Sequence, residues 1–424
     1  MPGVGQYRYL LSHYGAQSGV DVVGLGEMKR LRENIRTPIA GVRLAGYQTP
    51  QGVSSQTLAT LHTTEAAVQR GRAALLALLR LKKDGFYPDV VYAHPGWGET
   101  LFLKDVFPRS RLVHFCEFYY QTDGQDFNFD REFPNTAEDV LRLRIRNLHH
   151  LMALEQADIG IAPTLWQKGR FPQAYHPKIE VVHDGVDTSL VVPNPEAFVA
   201  LPHKQLRLTS RDEVITFVNR NLEPYRGCHT FIRSLPELLK RRPKAHVIVV
   251  GGDGVSYGRR LAEGTYRQKY LAEIADQFDP NRVHFVGKVN YKTFLRVLQV
   301  STAHVYLTYP FVLSWSMMEA MSAGCLVIGS RTAPVEEVIE HGKNGLLVDF
   351  FSPNELCETI VHACSHRESM MELRAAARRT IMSRYDLRSI CLPRQRSIIE
   401  QGALGTSADI HATSVTKSSI ATAS

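Results

Sequence analysis

Apolar and polar positions along the chain follow two different rhythms. Short, nearly continuous apolar runs occur at 20–25, 88–93, 111–116, 158–162, 179–182, 214–218, 245–250, 283–289, 303–307, 325–329 and 346–349, with a further one at 42–47. Runs of this length bounded by turn residues read as strands buried on both faces. Between them lie segments with helical spacing, chiefly 7–17, 60–83, 100–106, 136–155, 230–241, 295–300, 333–340, 353–364, 370–383 and 387–400. Strand and helix in alternation, joined by short turns, predict α/β layers built on parallel sheets. Residues 191–206 hold three prolines and read as a linker. The Ser/Thr/Ala-rich stretch 402–424 reads as disordered.

Composition adds bounds. A chain of 424 residues, 44% hydrophobic and 22% charged, is long enough for two ordinary domains. No apolar run reaches the roughly 18–20 residues of a spanning helix, and no signal-peptide core follows Met1. Six scattered cysteines without a C-x-x-C pair imply neither a zinc site nor a disulfide framework, and reduced thiols in the cytoplasm are expected. A net charge of +8 suits an anionic ligand or an acidic membrane surface, or is simply a solvated face. The dense basic and aromatic pattern of a nucleic-acid binder is absent.

The stretch 305–349 carries the sharpest chemistry. An apolar run stops at Tyr309-Pro310, a short helical segment spans 314–322, and Ala323-Gly324 closes it before the next strand. Ligands of parallel sheets sit at the carboxyl ends of strands, where the free N–H groups of the Ser314–Ser316 turn suit a phosphate. Glu319, one turn further on, is placed to accept from a ribose; the alternative is an exposed helix carboxylate. In the amino-terminal half the strand at 88–93 runs into His94-Pro95-Gly96-Trp97-Gly98-Glu99. Two glycines around a tryptophan allow close backbone approach to a ligand, or equally a tight turn around a core side chain. Pro2-Gly3-Val4-Gly5-Gln6 reads as a phosphate-side or acceptor-side loop ahead of a helix at 7–17.

Glu319-Ala320-Met321-Ser322-Ala323-Gly324 resembles the second half of the donor-binding signature of retaining GT-B glycosyltransferases, family four in particular. The first half departs from it: Phe311 stands where the family has its first glutamate, and Ser314-Trp315 replaces Gly-Leu. Arg220, five residues, then Arg226-Gly227 resembles the family's arginine and lysine-glycine pair, with Arg keeping the charge but presenting a planar fork. The 251–254 turn resembles the family's glycine turn near the donor, and 287–289 the place where its backbone meets the base. Glu117 takes the strand-end position commonly held by a histidine, while His114 falls inside the strand. His183-Asp184-Gly185-Val186-Asp187 resembles the turn that ends the family's first domain.

The resemblance, over about residues 2–400, implies two Rossmann-like domains facing across a cleft. The expected division is 1–200 for the acceptor side, 201–384 for nucleotide-sugar binding, 385–400 for a helix crossing back and 401–424 for the tail. The family has an apolar strand directly before its first glycine loop. None precedes Pro2, so a missing first strand and an exposed position in mid-sheet are expected. The implied activity is transfer of a hexose from a UDP- or GDP-linked sugar, with retention, to a glycan, a lipid-linked glycan or a small molecule. Arg220, Arg226, Gly254, Lys288, Ser314, Trp315 and Glu319 would bind the donor. Glu117, Arg220 and Arg226 would carry catalysis. Gly5, His94, Gly96, Gly98 and Glu99 would border the acceptor and sugar. No metal or other cofactor is expected, because the arginines supply the counter-charge. A cytoplasmic protein is implied, with contact at the inner membrane face left open. Competing readings are a nucleotide-sugar epimerase of the same fold and a degenerate partner subunit without activity. A phosphorylase would need a pyridoxal-bearing lysine, and none is identified.

Overall fold

The computed structural model describes residues 2–35, 37–201, 205–401 and 418–423. They form two compact units, 1–184 with 388–424, and 185–387. Among the described residues no helix is long and apolar enough to cross a membrane. All six cysteines are buried thiols.

The first unit is built on β1 (Val20–Glu27), β2 (Val42–Tyr47), β3 (Val90–Ala93), β4 (Arg111–Phe115), β5 (Ile159–Ala162) and β6 (Ile179–Val181). A seventh strand, Ser418–Ala423, lies between β1 and β3, and all neighbours are parallel. Successive residues of these strands point to opposite faces. Val23, Val91 and Leu112 pack with Ala74, Ala77, Leu78 and Leu81 of the helix His62–Lys83. Val22, Val90 and Val113 pack on the other face with Leu10, Leu11 and Ile398. Covering both faces is what near-continuous apolar strands require.

Three expectations change here. The mid-sheet position is not exposed: Ser418–Ala423 fills it, with Ala421 opposite both Val23 and Val91. That segment was read as tail because it lacks an apolar run; a strand paired on both edges gains its ladder bonds regardless of side-chain size. The remainder of the tail, 402–417, lies outside the described residues. The proposed loop holding Gly5 is instead the first turn of a helix, Pro2–Gly15. Proline suits a first helical position. The segment read as one helix over 136–155 is two, Ala137–Ile145 and Leu148–Gln156. At the break the Asn147 amide accepts from Tyr120 N at 3.1 Å and donates to Tyr120 O at 2.8 Å.

The second unit opens with an antiparallel pair, β7 (Phe198–Leu201) and β8 (Leu206–Thr209), within and just beyond the stretch read as a linker. Its parallel sheet comprises β9 (Val214–Asn221), β10 (His246–Gly252), β11 (Val283–Gly287), β12 (Ala303–Tyr306), β13 (Val327–Ser330) and β14 (Leu346–Val348), in the order β11-β10-β9-β12-β13-β14. Strand order reverses between β9 and β12. The loops leaving these two strands meet at the carboxyl edge, where Tyr309 N donates to Tyr225 O at 3.0 Å, and such a reversal is where ligands of open parallel sheets bind. The helix Leu392–Glu400 packs with the first unit, where Gln395 donates to His183 O at 3.1 Å and Tyr14 to Glu400 at 3.2 Å.

Candidate active site

In the second unit the candidate cations follow β9. Arg220 lies near the strand's end, exposed, with no hydrogen bond or ion pair among the described residues. Arg226 is only 6% exposed. Its Nη1 donates to Tyr306 Oη at 3.2 Å and Thr308 Oγ1 at 2.7 Å, and its Nη2 donates to Val312 O at 3.1 Å. Three of its N–H groups thus hold the end of β12 and the loop that leaves it. Tyr257 and Phe311 lie within 5.3 and 5.9 Å of the guanidinium. Burial alone works against the charge, but Tyr306, Tyr257 and Glu223 outweigh it and keep the group above its ordinary range. Gly227, the residue that follows, has φ +66°, and a Cβ there would lie 2.3 Å from Leu307 Cβ. Glycine is what lets the two loops close on each other.

Tyr306 Oη also accepts from Ser314 N at 2.7 Å. One phenol therefore joins Arg226 to the start of the helix Trp315–Ser322. Ser314 caps that helix, its hydroxyl accepting from Ser316 N at 3.4 Å, and Trp315 is half-buried at its first turn. Glu319 lies half-buried on the same helix and accepts from Tyr291 Oη at 2.6 Å. Burial pushes its carboxyl up to about 7, opposed by the Tyr291 bond. Among the described residues no hydrogen bond or ion pair joins Arg220, Arg226 and Glu319 directly.

The third loop at this edge is 252–258. The Glu223 carboxylate accepts from Ser256 N at 2.9 Å and from Tyr257 N and Gly258 N at 3.0 Å each. This carboxylate, 1% exposed, fixes the loop that presents Tyr257 to Arg226. Asn221, at the end of β9, donates to Ser256 Oγ at 2.7 Å while its Oδ1 stays buried without a partner among the described residues. That oxygen and the exposed Lys288 flank Gly252, where a Cβ would lie 2.9 Å from Asn221 Oδ1 and 2.5 Å from Lys288 Cε. Gly254 is exposed, and a Cβ there would lie 3.2 Å from Asn221 Oδ1. Sequence reading passed over Asn221 and Glu223; the signal was their place inside the arginine spacing.

In the first unit, β3 and β4 end side by side and bring His94 to Glu117. His94 Nδ1 accepts from Gly96 N at 2.9 Å. The ring proton of the neutral imidazole is therefore on Nε2, which donates to Glu117 Oε2 at 3.0 Å. Trp97 stacks on the ring at 4.5 Å. A Cβ on Gly96 would lie 2.5 Å from His94 Cε1, and Gly98, with φ +100°, would meet Ala67 O at 2.2 Å. His149, which sequence reading missed, approaches Gly96 O with Nε2 at 3.0 Å and leaves Nδ1 buried without a partner among the described residues. Burial lowers its pKa. Glu99 is 3% exposed, so it lines the core behind the turn. It accepts from Tyr47 Oη at 2.7 Å, with Arg70 Nε at 3.7 Å. Burial raises its carboxyl above the ordinary range against these two groups. Gly5, inside the first helix, is not part of a loop here. His114 is a buried strand residue whose pKa burial lowers to about 4.

Two parallel sheets, each with candidate residues on the loops beyond its strand ends, are the architecture of a GT-B glycosyltransferase. Comparison with known proteins agrees. The sequence profile of the glycosyl transferase family 4 group matches residues 18–191, and that of glycosyl transferases group 1 matches residues 180–380. The chain belongs to this family of retaining, nucleotide-sugar-dependent glycosyltransferases. It is 23% identical over 359 residues to D-inositol 3-phosphate glycosyltransferase of Corynebacterium glutamicum, covering 82% of this chain and 78% of that one. It is 25% identical over 294 residues to the GDP-mannose-dependent alpha-(1-6)-phosphatidylinositol monomannoside mannosyltransferase of Mycobacterium tuberculosis, covering 66% and 68%. Among solved structures, sucrose-phosphate synthase from Thermosynechococcus elongatus aligns with a TM-score of 0.71 at 16% identity over 95% and 94% of the two chains. Anabaena HepE in complex with UDP and glucose aligns at 0.64, with 18% identity over 94% and 96%.

Proposed function

We propose that the chain transfers a hexose from a UDP- or GDP-linked donor to a polyhydroxylated acceptor that carries a phosphate or a lipid phosphate. The donor would bind at the strand-order reversal of the second unit. Arg220, exposed and uncommitted, would meet the diphosphate directly. Arg226 would act by its buried charge and by holding the loop of Val312 and Ser314, rather than by gripping with every donor. Backbone N–H groups near Ser314 and Trp315 would complete the phosphate site, Glu319 would take the ribose, and Gly254 and Lys288 would lie toward the base. In the first unit Glu117 would stand beside the reacting sugar, with the Gly96–Gly98 turn shaping its surroundings.

The observation that carries this reading is the single Tyr306 hydroxyl shared by Arg226 and Ser314. It joins the arginine pair of the loop after β9 to the start of the donor-signature helix, which lie far apart in sequence. An anionic acceptor agrees with the net charge of +8 and with the names of the relatives, one an inositol phosphate enzyme and another a phosphatidylinositol mannoside enzyme.

A thermal-shift panel of UDP-, GDP- and ADP-linked sugars tests the donor, since a ligand that binds only the native state raises the melting point. The selected donor is then incubated with inositol 3-phosphate, phosphatidylinositol or neutral polyols. Transfer to a phosphorylated acceptor with the donor's anomeric configuration is expected. Conversion of the nucleotide sugar without an acceptor would assign an epimerase instead, and no shift with any donor would remove the donor site.

A further inference from the structure

We propose that His94 is a positioning residue for Glu117: its Nε2–H fixes the carboxylate, and its Nδ1 locks the ring to the turn that carries it. The inference rests on the reading of Glu117 as the carboxylate beside the transferred sugar.

The tautomer follows from the backbone. Gly96 N is a donor, so the ring nitrogen that faces it at 2.9 Å accepts. A ring protonated on Nδ1 would set two N–H groups against each other. The proton therefore sits on Nε2, 3.0 Å from Glu117 Oε2. The ring has no freedom to turn away. Trp97 stacks on one face at 4.5 Å, with planes 25° apart, and Phe115 lies 5.6 Å from its centre. Gly96 admits no side chain against the ring edge. The turn is held in its own right, because His149 bonds Gly96 O at 3.0 Å and Arg70 Nη1 bonds Trp97 O at 3.4 Å. At the other end Gln167 Nε2 donates to Glu117 O at 2.6 Å and fixes its backbone. The Glu117 side chain keeps 23% of its surface open, against 5% for His94. His94 is thus buried support for a carboxylate that reaches solvent. A group held in this way spends little of its binding or charge-stabilising effect on being ordered at the moment of reaction.

The two ring nitrogens can be tested apart. A glutamine amide nitrogen reaches the place of Nε2, whereas an asparagine amide oxygen falls at the place of Nδ1. His94→Gln is expected to keep transferase activity within about tenfold of the natural chain. His94→Asn, which holds the turn but not the carboxylate, is expected to lower kcat by roughly 100-fold with the donor KM little changed, the scale of a misplaced reacting group. The reverse order would overturn the proposal and make the histidine a turn residue only. Equal losses in both, with lowered melting points, would assign it to packing and overturn it too. Ring nitrogen spectra of selectively labelled histidine give a readout without turnover. The Nε2–H form is expected for His94, with Nε2–H exchange accelerated in Glu117→Ala; an Nδ1–H form would sink the proposal. Glu117→Gln separates the underlying reading. If it stays active while the spectra stand, Glu117 is not at the reacting sugar although the hydrogen bond exists.

Discussion

The Tyr291 hydroxyl donates to the Glu319 carboxylate at 2.6 Å, so the residue expected to hold a ribose already has a partner within the protein. Burial lifts this carboxyl to about 7, above its ordinary range. An acid raised in the fold favours the folded state fully below its unfolded pKa and loses that contribution as pH rises through the folded value. Stability of the ligand-free chain should therefore fall between about pH 4.5 and 7 by about 1–2 kcal/mol, after discounting for solvent on the open side. Glu319→Gln should flatten this segment of the curve, checked by denaturant melts at pH 5 and 8. Parallel curves for both proteins would refute the shift.

Arg226 and Arg220 should separate stability from activity. Arg226→Ala strands Thr308, Tyr306 and the Val312 carbonyl, and is expected to destabilise the second unit by about 2–4 kcal/mol as well as abolish transfer. Arg220→Ala, at an exposed site, should change stability by no more than about 0.5 kcal/mol. Its transfer rate should nevertheless fall by about 100-fold or more, the scale of a lost charge-stabilising donor. Full activity in Arg220→Ala would remove it from the diphosphate site.

Gly227→Ala tests the closure of the two loops. Its left-handed backbone and the 2.3 Å approach of a new Cβ to Leu307 predict a loss on the order of 1–3 kcal/mol, read as a lower melting point. An unchanged melting point would mean that the loops part at little cost.

The Ser418–Ala423 strand can be probed through its backbone. Ala421 faces Val23 on one side and Val91 on the other. Ala421→Pro deletes a ladder N–H in mid-sheet and should weaken the first unit by about 1–3 kcal/mol for the orphaned partner. Faster amide exchange in β1 and β3 would accompany it. A neutral outcome by both measurements would show that these residues do not hold the sheet.

Much of this architecture is legible in residue order because buried parallel strands announce themselves. Runs such as Val90–Ala93 and 214–218 are apolar for a reason that sequence and structure share. Glu319 is visible through its motif, and the Arg220 to Arg226 spacing marks the loop after β9. What escaped depends on partners distant in sequence. Ser418–Ala423 is too small-residued to read as a central strand, and its place is set by two edges almost 400 and more than 300 residues away. Asn147 breaks a helix because its amide serves Tyr120. The acceptance of three backbone N–H groups by Glu223 cannot be inferred from a glutamate before a proline. Gly5 was misread because glycine and proline mark turns and helix starts alike.

The discontinuity of the first unit bears on the order in which a nascent chain takes shape. Residues 185–387 are contiguous, whereas the first unit needs both 1–184 and segments after 387. Domains usually mature from the amino terminus as they leave the ribosome. Here the later-made unit has all its strands in hand first, while the earlier-made one waits with the middle of its sheet open until Ser418–Ala423 emerges.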